Sequence, residues 1–423
     1  MKRLSEVPTQ KRMPFNLLIK PAGAACNLDC SYCFFLSKES LWDPRRQQMS
    51  QETLEEALGS FLDSQPDGEV TIGWQGGEPT MRGLPFFEEA VRLAEEMRRP
   101  GQQVVHTIQT NGTLIDEQWA SFLKSHNFLV GISIDGPPDL HDFHRVNRAG
   151  RGSYDRVLRG WRILQRHGVE TNVLCAVNSN NADHPLRVYR HFRDDLGARH
   201  VQFIPIVERV RAGEESLAEN SWRGRDGKFT AYQQEGDGVT SRTVRPDQYG
   251  RFLLAVFDEW FRNDVGSVSV RDFDTAVGAR LGIFGHCVSA PECGKALAMD
   301  HRGRVYSCDH FVEPAYDLGN VASKGLSDLL LSSAQKNFGR SKRTSLPDQC
   351  LACPVLWACN GGCPKDRFVD TGQQGRPLNY LCAGYYGFFT GVQPRVEELA
   401  SLVAAGRPAA DVLLGEHPRL AAG

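Results

Sequence analysis

Three cysteines stand close together near the N-terminus. Cys26, Cys30 and Cys33 are spaced C-x3-C-x2-C in Cys26-Asn27-Leu28-Asp29-Cys30-Ser31-Tyr32-Cys33. A 4Fe–4S centre has four irons and, when wholly held by protein, takes four thiolates. Three thiolates on one short loop leave one iron without a protein ligand. An open coordination position marks a metal centre that does chemistry, as it does for zinc. A structural zinc site is the competing reading. It needs a fourth ligand, usually supplied by a second C-x2-C pair.

A second group of cysteines reads Cys287-x5-Cys293-x14-Cys308, then Cys350-x2-Cys353-x5-Cys359-x3-Cys363-x18-Cys382. Cys175 stands alone in the apolar run Val173-Leu174-Cys175-Ala176-Val177 and is expected as a buried strand residue, since free cysteine behaves as a small hydrophobe. It leaves eleven of the 12 cysteines. One open and two closed 4Fe–4S centres would use that number as three, four and four thiolates. The 423 residues, 41% hydrophobic and 24% charged, fit a soluble globular chain of two or three domains. A formal charge of −2 gives no field that calls for nucleic acid or an anionic membrane. No apolar run reaches transmembrane length, and MKRLSEVPTQKRMPFN lacks the apolar core of a secretory signal. The chain is therefore expected to be cytoplasmic. Disulfides are rare there, and grouped cysteines bind metal or catalyse.

These residues need elements to position them. Apolar runs at 15–20, 69–74, 103–110, 128–134, 170–177 and 199–206 read as strands. Amphipathic stretches near 51–63, 84–98, 116–125, 153–167 and 184–196 read as the helices between them, with Asp116 and Ser153 as N-caps. Strand–helix alternation argues for a parallel sheet with right-handed crossovers. Six units fall two short of a closed barrel, so the fold class is α/β with a partial (β/α)6 barrel. Active sites of such folds lie at the C-terminal strand ends, and the first cysteine loop follows strand one. Residues 1–245 are expected as this core, with 210–245 as an exposed excursion and flap. Residues 246–286 are expected as a helical linker, beginning with a Pro-started helix over 246–263. Residues 287–385 are expected as an irregular domain held by metal, and 386–423 as a C-terminal helix and loose tail.

Other motifs sit at strand ends. Gly76-Gly77-Glu78-Pro79 follows strand two, where glycines let a ligand approach the backbone closely. Ser133-Ile134-Asp135-Gly136 ends strand four, and His141-Asp142-x-x-Arg145 follows it. Ser133 can hydrogen-bond a ribose or carboxylate, and Arg145 can grip a carboxylate in bidentate fashion. Gln202-Phe203-Ile204-Pro205-Ile206-Val207 ends strand six.

The N-terminal loop resembles that of the radical S-adenosylmethionine enzymes, including Tyr32 before the last cysteine and Phe34-Phe35 after it. The second cysteine group resembles the twin-cluster extension called the SPASM domain. From about residue 15 to about 390 the chain is similar to the anaerobic sulfatase-maturating enzymes. Trp74-Gln75-Gly76-Gly77-Glu78-Pro79, Ser133-Ile134-Asp135-Gly136-Pro137, Tyr306-Ser307-Cys308-Asp309 and Cys359-Asn360-Gly361-Gly362-Cys363-Pro364 carry the likeness. The resemblance implies three 4Fe–4S clusters: one open on Cys26, Cys30 and Cys33, one on Cys287, Cys293, Cys308 and Cys363, and one on Cys350, Cys353, Cys359 and Cys382. It implies S-adenosylmethionine bound with Tyr32, Gly77, Ser133 and Arg145, its adenine against Val207. It implies Asp309 as the base that deprotonates the substrate side chain. Partial burial would raise that carboxyl toward a working pKa. An Asp that merely caps a turn is the alternative for this residue. The implied reaction converts Cys or Ser in a C/S-x-P/A-x-R segment of a sulfatase to formylglycine. A flavodoxin- or ferredoxin-type reductant is implied as electron donor, and the auxiliary clusters as electron acceptors. Phe35 stands where a Tyr occurs in relatives. Two rival readings remain. A SPASM enzyme that crosslinks or epimerises a ribosomal peptide would share every cluster ligand. An iron–sulfur electron carrier would need four protein ligands at every site and no Asp309.

Overall fold

Six apolar runs pair as parallel strands in chain order: β1 (Asn16–Ile19), β2 (Gly68–Trp74), β3 (Gln102–Thr110), β4 (Leu129–Ser133), β5 (Glu170–Val177) and β6 (His200–Pro205). They form one side of the computed structural model, which describes residues 12–43 and 47–415. Residues 416–423 of the expected loose tail lie outside the described residues. Between the strands run α1 (Gln51–Ser64), α2 (Leu84–Met97), α3 (Glu117–Ser125), α4 (Tyr154–Arg166) and α5 (Pro185–Arg190). The period of two along β3 buries Ile108 and Thr110 on one face. Gln109 points to the other face, where its Nε2 donates to Ser133 Oγ at 3.0 Å.

Helix starts follow local chemistry. Ser50 caps α1 by accepting from Thr53 N, and Asp116 caps α3 by accepting from Trp119 N at 2.9 Å. The expected Ser153 cap on α4 is not made. Ser153 Oγ instead donates to the Arg145 carbonyl at 2.7 Å. Asp142 Oδ1 takes over the cap, accepting from Ser153 N and Tyr154 N at 2.8 Å each. A carboxylate eleven residues upstream is brought in by the turn at 143–152, which no local capping rule foresees.

The sheet continues beyond the six strands. On one edge β7 (Ser269–Val270) adds parallel to β6. On the other, β8 (Ala296–Met299) adds parallel to β1, followed by antiparallel β9 (Arg304–Tyr306) and β10 (Asp317–Asn320). The cysteine-rich segment thus adds three strands and the 246–286 segment one, extending the barrel sheet to ten strands. The segment 246–286 supplies α6 (Pro246–Asn263) and α7 (Arg271–Arg280). Helix α6 buries Phe252, Val256, Phe257, Trp260 and Phe261 in the main core. Helix α8 (Ser333–Thr344) and α9 (Cys382–Ala404) complete the cysteine-rich half. Helices α6 and α9 cross at Gly250 and Gly384, where a Cβ on Gly384 would meet the Pro246 carbonyl at 2.1 Å.

Residues 210–245, expected as an exposed flap, carry a hairpin of Arg209–Val210 with Gly238–Val239 and a small core of Val210, Ala218, Trp222 and Tyr232. Phe34, next to Cys33, packs against that core. Arg223 pairs with both oxygens of Asp29 at 2.9 and 3.0 Å, and Ser221 Oγ donates to the Ser31 carbonyl at 3.2 Å. The excursion is therefore laid over the first cysteine loop.

Replacing Asp142 with Ala is expected to cost about 1–2 kcal/mol, the worth of a lost N-cap, read in denaturant unfolding. Cys175 lies in β5, fully buried in the main core. Cys175→Ala is expected to cost about 1–2 kcal/mol as a buried truncation. It should leave iron content after anaerobic reconstitution unchanged; loss of iron would contradict its packing role.

Candidate active site and metal centres

The three N-terminal cysteines sit on a loop held from both sides. Asp29 N donates to the Val146 carbonyl at 2.8 Å and Ser31 N to the His144 carbonyl at 3.1 Å. Cys26 Sγ accepts from Leu28 N at 3.4 Å and from Asn111 Nδ2 at 3.8 Å. N–H groups aimed at sulfur are one of the ways a protein tunes a thiolate-bound centre. Burial pushes the Cys30 thiol up to about 12 and raises the Cys26 and Cys33 thiols. Such thiols are poor nucleophiles at neutral pH; metal binding is what would deprotonate them.

The strand-two turn packs directly under this loop. Gly77 N donates to the Gly23 carbonyl at 2.9 Å and Glu78 N to the Ala25 carbonyl at 2.8 Å. A Cβ on Gly77 would meet the Ala25 carbonyl at 2.1 Å, so only glycine lets the two backbones touch. Glu78 is fully buried and accepts from Thr80 N, Thr80 Oγ1, Thr110 Oγ1 and Asn111 N at 3.0, 2.5, 2.7 and 2.7 Å. It ties the turn to β3.

At the end of β4, Asp135 is the hub of a buried network. It accepts from Arg145 Nε at 2.9 Å, from the Tyr32 hydroxyl and, through Oδ1, from Ala176 N at 3.0 Å. Burial acts to raise the Asp135 carboxyl, but Arg145 and His141 beside it hold it below the usual carboxylate range. The Arg145 guanidinium lies 5.5 Å from the Tyr32 ring centre. Tyr32 and Arg145, expected as cofactor contacts, are thus joined through a carboxylate that sequence reasoning left without a role. Ser133 lies near them with its Oγ already accepting from Gln109. Val207 is buried in the main core, next to the strand end of β6.

Asp309 opens the turn after β9 and sits against Lys20, the first residue after β1. Lys20 is 1% exposed and its Nζ pairs with Asp309 Oδ1. The same ammonium lies 4.2 Å from the centre of the Phe35 ring. Burial acts to raise the Asp309 carboxyl, but the charges of Lys20 and His310 and the Lys20 hydrogen bond hold it below its usual value. The raised pKa expected from burial alone is therefore corrected: the lysine outweighs desolvation. Lys20 was missed from sequence, although a lysine closing an apolar strand just before a cysteine loop was its signal.

The remaining cysteines gather into two sets. Cys287, Cys293, Cys308, Cys359 and Cys363 line one inner cavity. Cys350, Cys353, Cys359 and Cys382 line a smaller outer one. Cys363 thus shares a cavity with Cys287, Cys293 and Cys308, and Cys359 lines both cavities. Gly361 and Gly362 let the chain turn between the cavities, both with left-handed backbone, φ 73° and 61°. Burial pushes Cys363 and Cys359 to about 12 and Cys382 to about 11. Among the described residues, no three His, Cys, Asp or Glu side chains close on one point as the ligands of a single ion would. The two later cysteine sets lie around open space, the inner one with His286 and His310 also on its wall, and thiols grouped as three, four and four suit iron–sulfur centres.

Comparison with known proteins follows the same lines. The radical SAM superfamily model matches residues 21–192, and the SPASM iron–sulfur cluster-binding domain model matches 291–354. The serine-type anaerobic sulfatase-maturating enzyme of Bacteroides thetaiotaomicron is 41% identical over 401 residues, 94% of this chain and 93% of that one. The cysteine-type enzyme of Clostridium perfringens is 32% identical over 397 residues, 92% of this chain and 99% of that one. The solved structure of native anSMEcpe with bound AdoMet and Cp18Cys peptide superposes with TM-score 0.80 at 30% identity, covering 92% of this chain and 100% of that one. Streptococcus suis SuiB bound to its precursor peptide shares the fold alone, at TM-score 0.59 and 16% identity, over 87% of this chain and 75% of that one. The paired cysteine sets behind a parallel barrel, and identity running nearly end to end, make this chain a member of the anaerobic sulfatase-maturating enzymes, radical SAM enzymes with a SPASM domain.

Proposed function

We propose that the protein oxidises a Cys or Ser side chain in a C/S-x-P/A-x-R segment of a sulfatase to formylglycine. The observation that carries this reading is Asp309, a carboxylate held by Lys20 at the end of β1, one residue from the cysteine-lined inner cavity and on the same rim as the open three-cysteine loop. An electron carrier has no need of such a group.

Cys26, Cys30 and Cys33 would hold the open 4Fe–4S centre, and the inner and outer cysteine sets two closed ones. When bound, the cofactor and its open centre supply the radical that removes a hydrogen from the substrate Cβ, and the auxiliary centres supply an acceptor for the second electron. The chain's own residues position and deprotonate. Arg145, anchored through Nε on Asp135, keeps its Nη groups for the methionine carboxylate. The Gly77 backbone would hold the amino group, Ser133 the ribose and Val207 the adenine. Asp309 accepts the thiol or hydroxyl proton. Lys20 holds it ionised and fixes its direction, so that no proton must leave it first. Loss of one hydrogen atom, one proton and one electron leaves a thioaldehyde or aldehyde, and water converts the former to formylglycine with release of sulfide. A flavodoxin- or ferredoxin-type protein is proposed to deliver the first electron. Anaerobic incubation of the reconstituted protein with Cys-type and Ser-type sulfatase peptides tests the reading: the aldehyde mass supports it, and a crosslinked or unchanged peptide refutes it.

Reconstituted protein is expected to hold about twelve irons per chain. Cys26→Ala, Cys30→Ala and Cys33→Ala should each abolish 5′-deoxyadenosine formation and keep about eight. Iron near four, with zinc making up the rest, would refute the three-centre assignment.

Asp309→Asn keeps the shape of the side chain and loses the proton acceptor. Cofactor cleavage should persist while formylglycine falls by about two orders of magnitude or more. Ser-type peptides should suffer at least as much as Cys-type ones, because a hydroxyl yields its proton less readily than a thiol of pKa about 8.5. Full product yield would reduce Asp309 to a turn residue.

A further inference from the structure

Eight Lys and Arg residues are buried among the described residues, and six of them have a carboxylate partner. Lys20 pairs with Asp309, Lys38 with Glu313, Arg145 with Asp135, Arg242 with Glu208, Lys365 with Asp366 and Arg395 with Asp258. Lys342 and Arg367 are the exceptions, bonded to neutral oxygens instead. Lys342, in α8 and fully buried, donates from Nζ to the carbonyls of Cys287 and Val288 at 2.7 Å each, and to that of Ala290. Arg367 donates to the carbonyls of Gly361 at 2.9 Å, Lys342 at 2.5 Å and Asn360 at 2.9 Å. The bonding is close-fitted: a Cβ on Gly361 would come within 2.5 Å of Arg367 Nη2.

A buried cation with no anion is costly, because carbonyl dipoles return only part of its lost hydration. Both exceptions sit beside the cysteine sets. The sulfurs whose charge acts on Lys342 are Cys293, Cys363 and Cys287, all of the inner set. Those acting on Arg367 are Cys350 and Cys359 of the outer set and Cys363 and Cys293 of the inner. Gly361, whose carbonyl Arg367 holds, lines the outer cavity, and Gly362 the inner. Arg367 thus lies between the two cavities and Lys342 beside one of them.

We infer that Lys342 and Arg367 are the counter-cations of the two auxiliary iron–sulfur centres and rank their reduction potentials, Arg367 serving both centres and Lys342 the inner one alone. This rests on the assignment of the two cysteine sets as cluster ligands. A cube bound by four thiolates is net negative and gains further negative charge on reduction. A nearby cation favours the reduced form, and low dielectric strengthens the effect. The centre next to Asp309 faces both unpaired cations, the charge of Lys365 on its wall being offset by Asp366, and is then the easier of the two to reduce.

The test is a potentiometric titration of the reconstituted holoenzyme followed by electron paramagnetic resonance, with iron content measured first. Lys342→Met is expected to lower the midpoint of one auxiliary centre only, and Arg367→Gln to lower both. The open centre on Cys26, Cys30 and Cys33 should be unmoved in both variants. Lys342→Arg, which keeps the charge, should leave every midpoint in place. If Lys342→Met loses iron because three carbonyls are left without a donor, Lys342→Gln is measured instead, and the same one-centre shift is expected. Unchanged midpoints at full iron content would overturn the inference and leave the cluster assignment standing. Wild-type protein holding only the open centre would overturn both.

Discussion

The parallel pairing of β1 with β8 is the constraint on which the rest of the site depends. Asn16–Ile19 hydrogen-bonds along Ala296–Met299, and Lys20 N continues the ladder onto the Met299 carbonyl at 2.9 Å. Two segments almost three hundred residues apart are thereby put in fixed register. The first leads into Cys26, Cys30 and Cys33 and the second, through β9, into Cys308 and Asp309. Lys20 meets Asp309 only because the residue after one strand and the turn beyond its neighbour open at the same end of the sheet. Side-chain period and strand spacing leave little slack in such a register.

Charge placement follows from that arrangement. The rim of the barrel holds three buried ion pairs with a shared logic: Asp135 with Arg145, Asp309 with Lys20, and Glu313 with Lys38. Each joins a loop at a strand end to another piece of chain. Lys38 also donates to the Tyr232 carbonyl, which fastens the excursion over the first cysteine loop. Ion pairs of this kind are weak as net stabilisers but expensive to half-remove. Their contribution here is to fix where the loops lie. Deeper in the cysteine-rich half the situation is reversed: among the described residues no carboxylate pairs with Lys342 or Arg367, and both bond to carbonyls.

The first cysteine loop is enclosed on several faces. The turn at 144–147 lies along one side, Gly77 and Glu78 underneath, and the small core of Trp222 and Tyr232 against Phe34. These contacts leave Cys26, Cys30 and Cys33 partly buried. No helix among the described residues is long and apolar enough to cross a membrane.

Element positions and the chemistry of the donor side chains were legible in the chain. Strands over 69–74 and 170–177 and the helix at 246–263 were legible because apolar periodicity and Pro placement act locally. The C-x3-C-x2-C spacing pointed to an open centre because three thiolates on one loop can reach only three corners. The partition of the other eight cysteines was reached by resemblance and not by spacing, since Cys363 shares a cavity with Cys287 across seventy-odd residues of intervening chain. Tertiary structure alone decided what depends on register and burial. Asp142 rather than Ser153 caps α4, Lys20 outweighs desolvation at Asp309, and the cysteine-rich half shares the barrel sheet. The physical reason is the same in each case. A cap, an ion pair or a strand partner is chosen by three-dimensional proximity between residues far apart in the chain, whereas periodicity and ligand spacing are written within a single turn or loop.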